Sequence, residues 1–325
     1  MVADATSTTD ATTSTPTTEA AAATTEAAPT TTVPVPVYPL TGVANPDPTI
    51  AARKVLVVKI GNEPAARPQS GFNAADIVIE EIVNDNLTRF AFVFHSGESD
   101  PVGPIRSGRL QDVDLFGSFS APLFSWSGGN VPVTRAIDAS DLINIGPNHA
   151  DVYFRSSRER PSNLYSNTTA LRTYAPFGAP APPQQFLYRD PAATPQGVPS
   201  LGVEVTLDSI DVDWLWNPEE GLYFRSMEGR PHNDADTGQV TTNNVLVLEM
   251  QYLRGISYSP DAQSVGSGEA FIFTGGHFIH GYWERFDRTQ PFQLYTDDNV
   301  PILLSPGRTF IELPRDDRTT PLGTL

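Results

Sequence analysis

The sequence predicts an α+β protein: an N-terminal mixed α/β lobe followed by a mainly antiparallel β lobe, with a disordered tether in front of both. Three observations carry this reading. The chain has 325 residues, more than one ordinary core encloses, so two lobes is the default expectation. From Met1 to Thr32 it is almost wholly Thr, Ala, Ser and Pro, a composition that buries too little apolar surface to offset the entropy of ordering it. Beyond residue 200, short apolar runs are split by turn residues at the spacing of an antiparallel sandwich or barrel.

Taken in order, residues 1–39 read as a tether, ending in the Val33-Pro34-Val35-Pro36-Val37 alternation that favours polyproline II. A flexible chain of that length spans roughly 40 Å on average. No Lys or Arg precedes Arg53 and no apolar core of a signal peptide occurs, so a secretory leader is expected to have been removed already. Residues 40–175 form the mixed lobe. Strands are expected over Lys54 to Ile60 and Asp76 to Val83. A third is expected over Thr88 to Ser96, where Phe90, Phe92 and Phe94 alternate with Arg89, Ala91, Val93 and His95. That alternation puts the phenylalanines in the core and turns Arg89 and His95 together to the other face. Arg109 to Phe116 and Val131 to Ala139 read as short helices, the second capped by Asn130.

Residues 176–200 are dense in Pro, Ala and Gln and read as an inter-lobe linker. In the β lobe, residues 201–316, strands are expected over Val203 to Leu207, Val212 to Trp216, Leu222 to Met227, Asn244 to Tyr252, Ala270 to Thr274, His277 to Phe286, Phe292 to Tyr295 and Ile302 to Leu313, the last broken at Pro306-Gly307. Residues 317–325 read as a tail. One stretch repeats: Tyr153-Phe154-Arg155-Ser156, then Arg160-Pro161 and Asn163, matches Tyr223-Phe224-Arg225-Ser226, then Arg230-Pro231 and Asn233. Shared strand-and-turn chemistry accounts for it. The functional alternative is a pair of equivalent edges, one per lobe, carrying Arg155 and Arg225.

Charge and composition exclude several functions. A net charge of −17, from 21 basic and 38 acidic residues, repels nucleic acid and anionic lipid at long range. Cysteine is absent, which removes disulfides, thiolate metal sites and Cys nucleophiles. No apolar run approaches the roughly 20 residues that cross a bilayer as a helix. Cofactor fingerprints are missing: there is no Walker loop, Gly-x-Gly-x-x-Gly, Gly-x-Ser-x-Gly elbow or His-Glu-x-x-His helix. No cofactor or metal is expected, and no catalytic residue is assigned.

Two stretches bear on chemistry. Gly103-Pro104-Ile105-Arg106-Ser107-Gly108-Arg109 sets two guanidinium groups among flexible positions, and with Arg89 it makes a candidate anion site. The alternative is that these arginines pair internally with Glu80, Glu81, Asp112 or Asp114. The second is the turn His232-Asn233-Asp234-Ala235-Asp236: His232 and Asp234 there, with Arg155 and Arg225 of the repeated stretches, are candidates for a cleft between the lobes. Asp234 and Asp236 lack the ligand alternation and closing Glu of a calcium loop. Glu80 and Glu81 face opposite ways in a strand, so they cannot flank one glycosidic bond.

Arg67-Pro68-Gln69-Ser70-Gly71, Ala75-Asp76-Ile77-Val78, Thr88-Arg89-Phe90 and Gly103-Pro104-Ile105-Arg106-Ser107 form an ordered series. Pro231-His232, Asp234, Thr237-Gly238 and Asn244-Val245 continue it, and Gly281, Trp283, Gly307 and Thr309 end it. The series resembles the YerB-like lipoprotein family of bacteria, whose function is undefined, over roughly residues 40 to 315. The resemblance implies export, an N-terminal mixed domain and a C-terminal β-rich domain, and in most members a lipid on an N-terminal Cys that this chain lacks. It supplies no catalytic residues. The expected function is a non-enzymatic, extracytoplasmic binding or scaffold protein of the cell envelope, recognising a wall polymer or an envelope protein. The alternative is an extracytoplasmic hydrolase of wall glycan or peptide that uses carboxylates in the cleft.

Overall fold

The phenylalanine alternation does build a strand, Leu87–Phe94, and its neighbours follow from the same logic of β-branched and aromatic runs between turns. The computed structural model describes Thr6, Thr8 and residues 36–44, 46–84, 86–256 and 259–323. Most of the expected tether lies outside the described residues. Its last residues are held in the fold: Pro39 accepts a backbone hydrogen bond from Gln185, and Val37 bridges to Ala44.

The principal strands are β1 (Leu56–Gly61), β2 (Ile77–Asn84), β3 (Leu87–Phe94), β4 (Leu123–Ser125) and β5 (Ile143–Asn144), then β6 (Gly202–Leu207), β7 (Ile210–Asn217) and β8 (Leu222–Met227). They continue with β9 (Asn244–Leu248), β10 (Gly266–Thr274), β11 (His277–Arg285), β12 (Gln293–Thr296), β13 (Thr309–Leu313) and β14 (Thr319–Leu322). The helices are short: α1 (Pro48–Ala51), α2 (Asp112–Leu115), α3 (Val131–Asp138) and α4 (Thr168–Arg172). Asn130 caps α3 as expected, its Oδ1 accepting from the Val133 N–H at 3.0 Å. The expected helix from Arg109 yields only the single turn of α2 followed by a 3₁₀ turn at Gly117–Phe119.

Ten of these strands run side by side in the order β12-β11-β10-β9-β13-β2-β3-β1-β4-β5, and Val198–Pro199 adds an eleventh beside β11. The sheet is mixed: β2 and β13 pair in parallel, as do β9 and β13, while β2, β3 and β1 are antiparallel. A second sheet, antiparallel throughout, holds Arg230–Pro231, β8, β7, β6 and β14 in that order. The fold is α+β.

The large sheet is apolar on both faces. On one, Phe90, Phe92, Phe94, Val78 and Phe310 pack with Trp214, Val203 and Val212 of the second sheet. On the other, Val57, Val93, Ile79 and Ile311 lie beneath Phe116, Phe119, Trp126 and Ile137. Residues Val35–Leu325 form one compact unit. The division that composition suggests at 176–200 does not divide the sheet, whose centre joins β2 from one half to β13 from the other. That segment is a strap rather than a free linker: Gln185 and Phe186 are buried, and Tyr188 donates from its Oη to the Leu40 carbonyl at 2.7 Å. The expected tail likewise contributes a strand, β14, which pairs antiparallel with the edge of β6.

Candidate functional site

Two buried ionic clusters lie back to back across the sheet, because Glu80 and Glu81 are neighbours in β2 and face opposite ways. Between the two sheets, Glu80 pairs with Arg225 of β8, and the strand register sets Glu80 beside Glu312 of β13. Arg225 also reaches Glu312 at 3.5 Å and His232 Nδ1, and all three charged side chains are fully buried. Thr88 and Asn62 donate to Glu80 at 2.5 and 3.0 Å, and the Trp214 indole donates to Glu312 at 2.9 Å. Glu312 Oε2 has no hydrogen-bond partner among the described residues. Burial and then the Glu80 carboxylate push Glu312 well above the usual carboxylate range, and Arg225 only partly opposes them. His232 is pushed well below its ordinary value by burial and then by Arg225. It is therefore the neutral imidazole: Nε2–H donates to Gln69 Oε1 at 3.1 Å, which leaves Nδ1 to accept from Arg225.

Asp234 closes this region by tying the two halves of the chain together. Its Oδ2 accepts from the N–H groups of Gly71 and Phe72 at 2.8 and 2.7 Å, while Oδ1 accepts from the Asp236 and Thr237 N–H groups and the Thr237 hydroxyl. Gly71 sits at φ +112°, where a side chain is strained, and this conformation helps turn both N–H groups toward one oxygen. The Arg67-to-Gly71 stretch thus docks on the His232-to-Thr237 stretch. Arg67 adds a contact to Glu228 at 3.0 Å, and the Ala235 N–H donates to the Gln69 carbonyl at 2.7 Å. Arg155 stands apart. It is exposed and its guanidinium donates to Asn163 Oδ1 at 2.7 Å, so the repeated stretch produces one surface arginine and one fully buried one rather than two equivalent edges.

On the opposite face Lys59 is fully buried between Glu81 and Asp112, the latter at 2.7 Å. Glu81 is pushed up to about 7, burial outweighing the Lys59 ammonium while Asp112 adds to the rise. Beside this trio the three expected arginines come together. Arg89 Nη1 donates to the Ser107 carbonyl at 2.7 Å, which binds β3 to the loop carrying Arg106 and Arg109. Arg89 is pushed down to about 9, first by burial and then by the positive charges of Arg109 and Arg106. Arg106 Nε lies 2.7 Å from Glu63 Oε1 without the alignment of a hydrogen bond. Gly61 permits that approach, since a Cβ there would sit 2.6 Å from Arg106 Cγ. Arg109 donates to the Gly108 carbonyl and to Asn84 Oδ1, both at 2.9 Å, and its buried Nε has no hydrogen-bond partner among the described residues. It lines a cleft of about 140 Å³ together with Asn84, Asn130 and Ser259.

The alternative pairing of these guanidinium groups with Glu80, Glu81, Asp112 or Asp114 is therefore not what forms. Glu81 and Asp112 go to Lys59, Glu80 goes to Arg225, and among the described residues only Arg106 meets a carboxylate, that of Glu63. Lys59 and Glu63 were not singled out by the sequence reading. Lys59 carried a signal, as one of only two lysines in the chain and set inside the apolar run Leu56-Val57-Val58-Lys59-Ile60. Glu63 carried none.

Residues 40–178 match the family described as "Protein of unknown function (DUF3048) N-terminal domain", and residues 203–311 match its C-terminal domain. A Bacillus subtilis (strain 168) protein described as "Putative lipoprotein YerB" is 26% identical over 291 residues, covering 86% of each chain. The crystal structure of YerB protein from Bacillus subtilis superposes with a TM-score of 0.78 at 24% identity, covering 88% of this chain and 99% of that one. That structure shares the fold. With both of its domains matched in order over most of the chain, this protein belongs to the DUF3048 family.

Proposed function

We propose that the protein is a non-enzymatic binding protein of the cell envelope that takes an anionic group of a wall polymer or envelope partner at Arg89, Arg106 and Arg109. One observation carries the reading: three guanidinium groups gather at one loop and, among the described residues, meet a single carboxylate, leaving donors unspent. Counting Lys59, four cationic groups face Glu63, Glu81 and Asp112, and a Glu81 raised to about 7 leaves more positive charge still. A net charge of −17 does not prevent this, since the field of distant surface charges is screened beyond about 8 Å at physiological salt. Extracytoplasmic placement rests on the lipoprotein description of the relative and on the Thr-, Ala- and Pro-rich stretch that begins the chain.

The hydrolase alternative loses support from the same geometry. Glu80, Glu312, Glu81 and Asp112 are all buried and committed to Arg225 or Lys59, so none meets a polymer as acid or base. The test pairs thermal unfolding with titration of a glycerol-phosphate oligomer and of poly-glutamate into the parent, Arg106→Lys and Arg109→Lys. Lysine keeps the charge and loses the planar fork, so affinity should fall by roughly 1–3 kcal/mol while the unfolding midpoint stays in place. A parent that binds neither polymer, with both variants destabilised, would make the arginines struts of the fold.

A further inference from the structure

The second sheet does not cover the whole face of the large one. Val245, Val247 and Phe273 lie beneath it, but the same face continues outward over β10, β11 and β12, where the side chains are half-exposed. The register there builds a grid. Glu269, Tyr282 and Tyr295 form one row across the three strands, and Phe271 and His280 begin the next. Tyr282 and Tyr295 lie side by side, centroids 5.5 Å apart and planes 27° from parallel, and Phe271 meets the His280 ring at 5.1 Å. Tyr282 donates to Asn299 Oδ1 at 2.6 Å, and His280 Nδ1 lies 3.0 Å from Asp297. The side chains of Glu269 and Asp297 are 63% and 67% exposed.

This surface combines flat rings with acceptors and, among the described residues of its three strands, presents no Lys or Arg. The outward positions of the three strands include Glu269 and Glu284 but no Lys or Arg. Arg285, the only Lys or Arg of these strands, is buried on the other face, where it donates to the Gln290 carbonyl, and of the two histidines His280 lies 3.0 Å from Asp297 and 3.9 Å from Glu269. Rings whose faces are electron-rich attract cations and the C–H faces of a sugar, and carboxylates accept from hydroxyl and ammonium groups alike. An anionic ligand is repelled.

The geometry points to a second binding site here, for a saccharide chain that bears free amino groups, lying along Tyr282 and Tyr295 with its amines toward Glu269 and Asp297. The paired tyrosines present a flat surface wider than a lysine side chain needs. The Asn299 amide and the tyrosine hydroxyls supply donors as well as acceptors, which vicinal sugar hydroxyls use and an ammonium does not. The site is independent of the arginine loop in place and opposite to it in charge preference.

The test is calorimetric titration of the full chain with a fully deacetylated glucosamine hexasaccharide, its N-acetylated counterpart and hexalysine, at low and at high salt. The deacetylated sugar should bind, weaken with salt, and bind at least about tenfold more tightly than either competitor. Tyr282→Ala and Tyr295→Ala should each weaken it about tenfold or more, while Tyr282→Phe, which keeps the ring, should stay within about threefold. Glu269→Gln, at a position whose side chain is 63% exposed, should weaken it severalfold. The proposal is overturned if the parent binds no deacetylated sugar, if the N-acetylated sugar or hexalysine binds as tightly, or if both alanine variants, shown folded by thermal unfolding, bind like the parent. None of these outcomes touches binding of anionic polymers at the arginines.

Discussion

Replacing Arg225 with methionine strips the inter-sheet cluster of its only guanidinium. Arg225 is fully buried, pairs with Glu80, reaches Glu312 at 3.5 Å, and lies over Phe90, Phe310 and Trp214 at 5.5, 5.3 and 5.8 Å from their ring centres. Methionine fills much of the volume, so the dominant loss is electrostatic. Glu80 keeps Thr88 and Asn62, and Glu312 keeps Trp214, but neither keeps a counter-charge. Breaking a buried pair by removing one partner costs about 3–5 kcal/mol. Glu312 moderates the loss because its raised pKa already favours the neutral acid, so the lower half of that range is expected. For a compact unit of this size, an unfolding entropy of about 0.6 kcal/mol/K converts it to a midpoint drop of roughly 5–7 °C. Urea unfolding at pH 7, followed by tryptophan fluorescence, measures the free energy, and calorimetry measures the midpoint. Adding Glu80→Gln to Arg225→Met should restore at least half of the loss, since the uncompensated charge is then gone. A single variant within about 1 kcal/mol of the parent, or a double variant no better than the single, would refute the electrostatic account.

Other outcomes follow from the same geometry. Asp234→Asn sets an amide donor against two N–H groups and should cost about 2–3 kcal/mol in urea unfolding, with hydrogen exchange at Gly71 and Phe72 accelerated first. Glu81 titrates near 7 in the folded protein against an ordinary value of 4.5, so its contribution to stability is complete below pH 4.5 and lost as pH rises to 7. Glu81→Gln should flatten the stability profile across that window by on the order of 1 kcal/mol per pH unit, and a profile unchanged by the substitution would mean Glu81 does not carry that proton.

Local patterns in the sequence reported local structure well. Apolar alternation located β3, and Asn130 as a cap located the start of α3, because both depend on residues a few positions apart. What alternation cannot report is how a face is covered. Arg89 and His95 share the side opposite the phenylalanines, as expected, yet that side is also buried, because β3 sits mid-sheet with loops and short helices packed over it. The arginine loop was legible from its glycines and its charge. Its electrostatic setting was not, since Glu63 and Lys59 reach it through a turn and a neighbouring strand. The Glu80–Arg225 pair joins residues 145 positions apart, and no local signal names such a partner. The composition of 176–200 reads as a loop correctly, but composition says nothing of the backbone and side-chain contacts that strap it down.

The parallel pairing of β2 with β13, Ile77 opposite Thr309, also sets a clock. During synthesis, β1, β2 and β3 emerge early and can form their antiparallel ladder at once, with one flank of β2 unpaired and the face bearing Phe90, Phe92 and Phe94 uncovered. Both vacancies wait for residues more than a hundred positions later: Trp214 and its neighbours for the face, Thr309–Leu313 for the flank. At translation rates of about 5–20 residues per second, that interval lasts on the order of 10 seconds or more. Throughout it the nascent chain offers an open strand edge and a row of aromatic side chains, a ready substrate for a chaperone that holds chains unfolded.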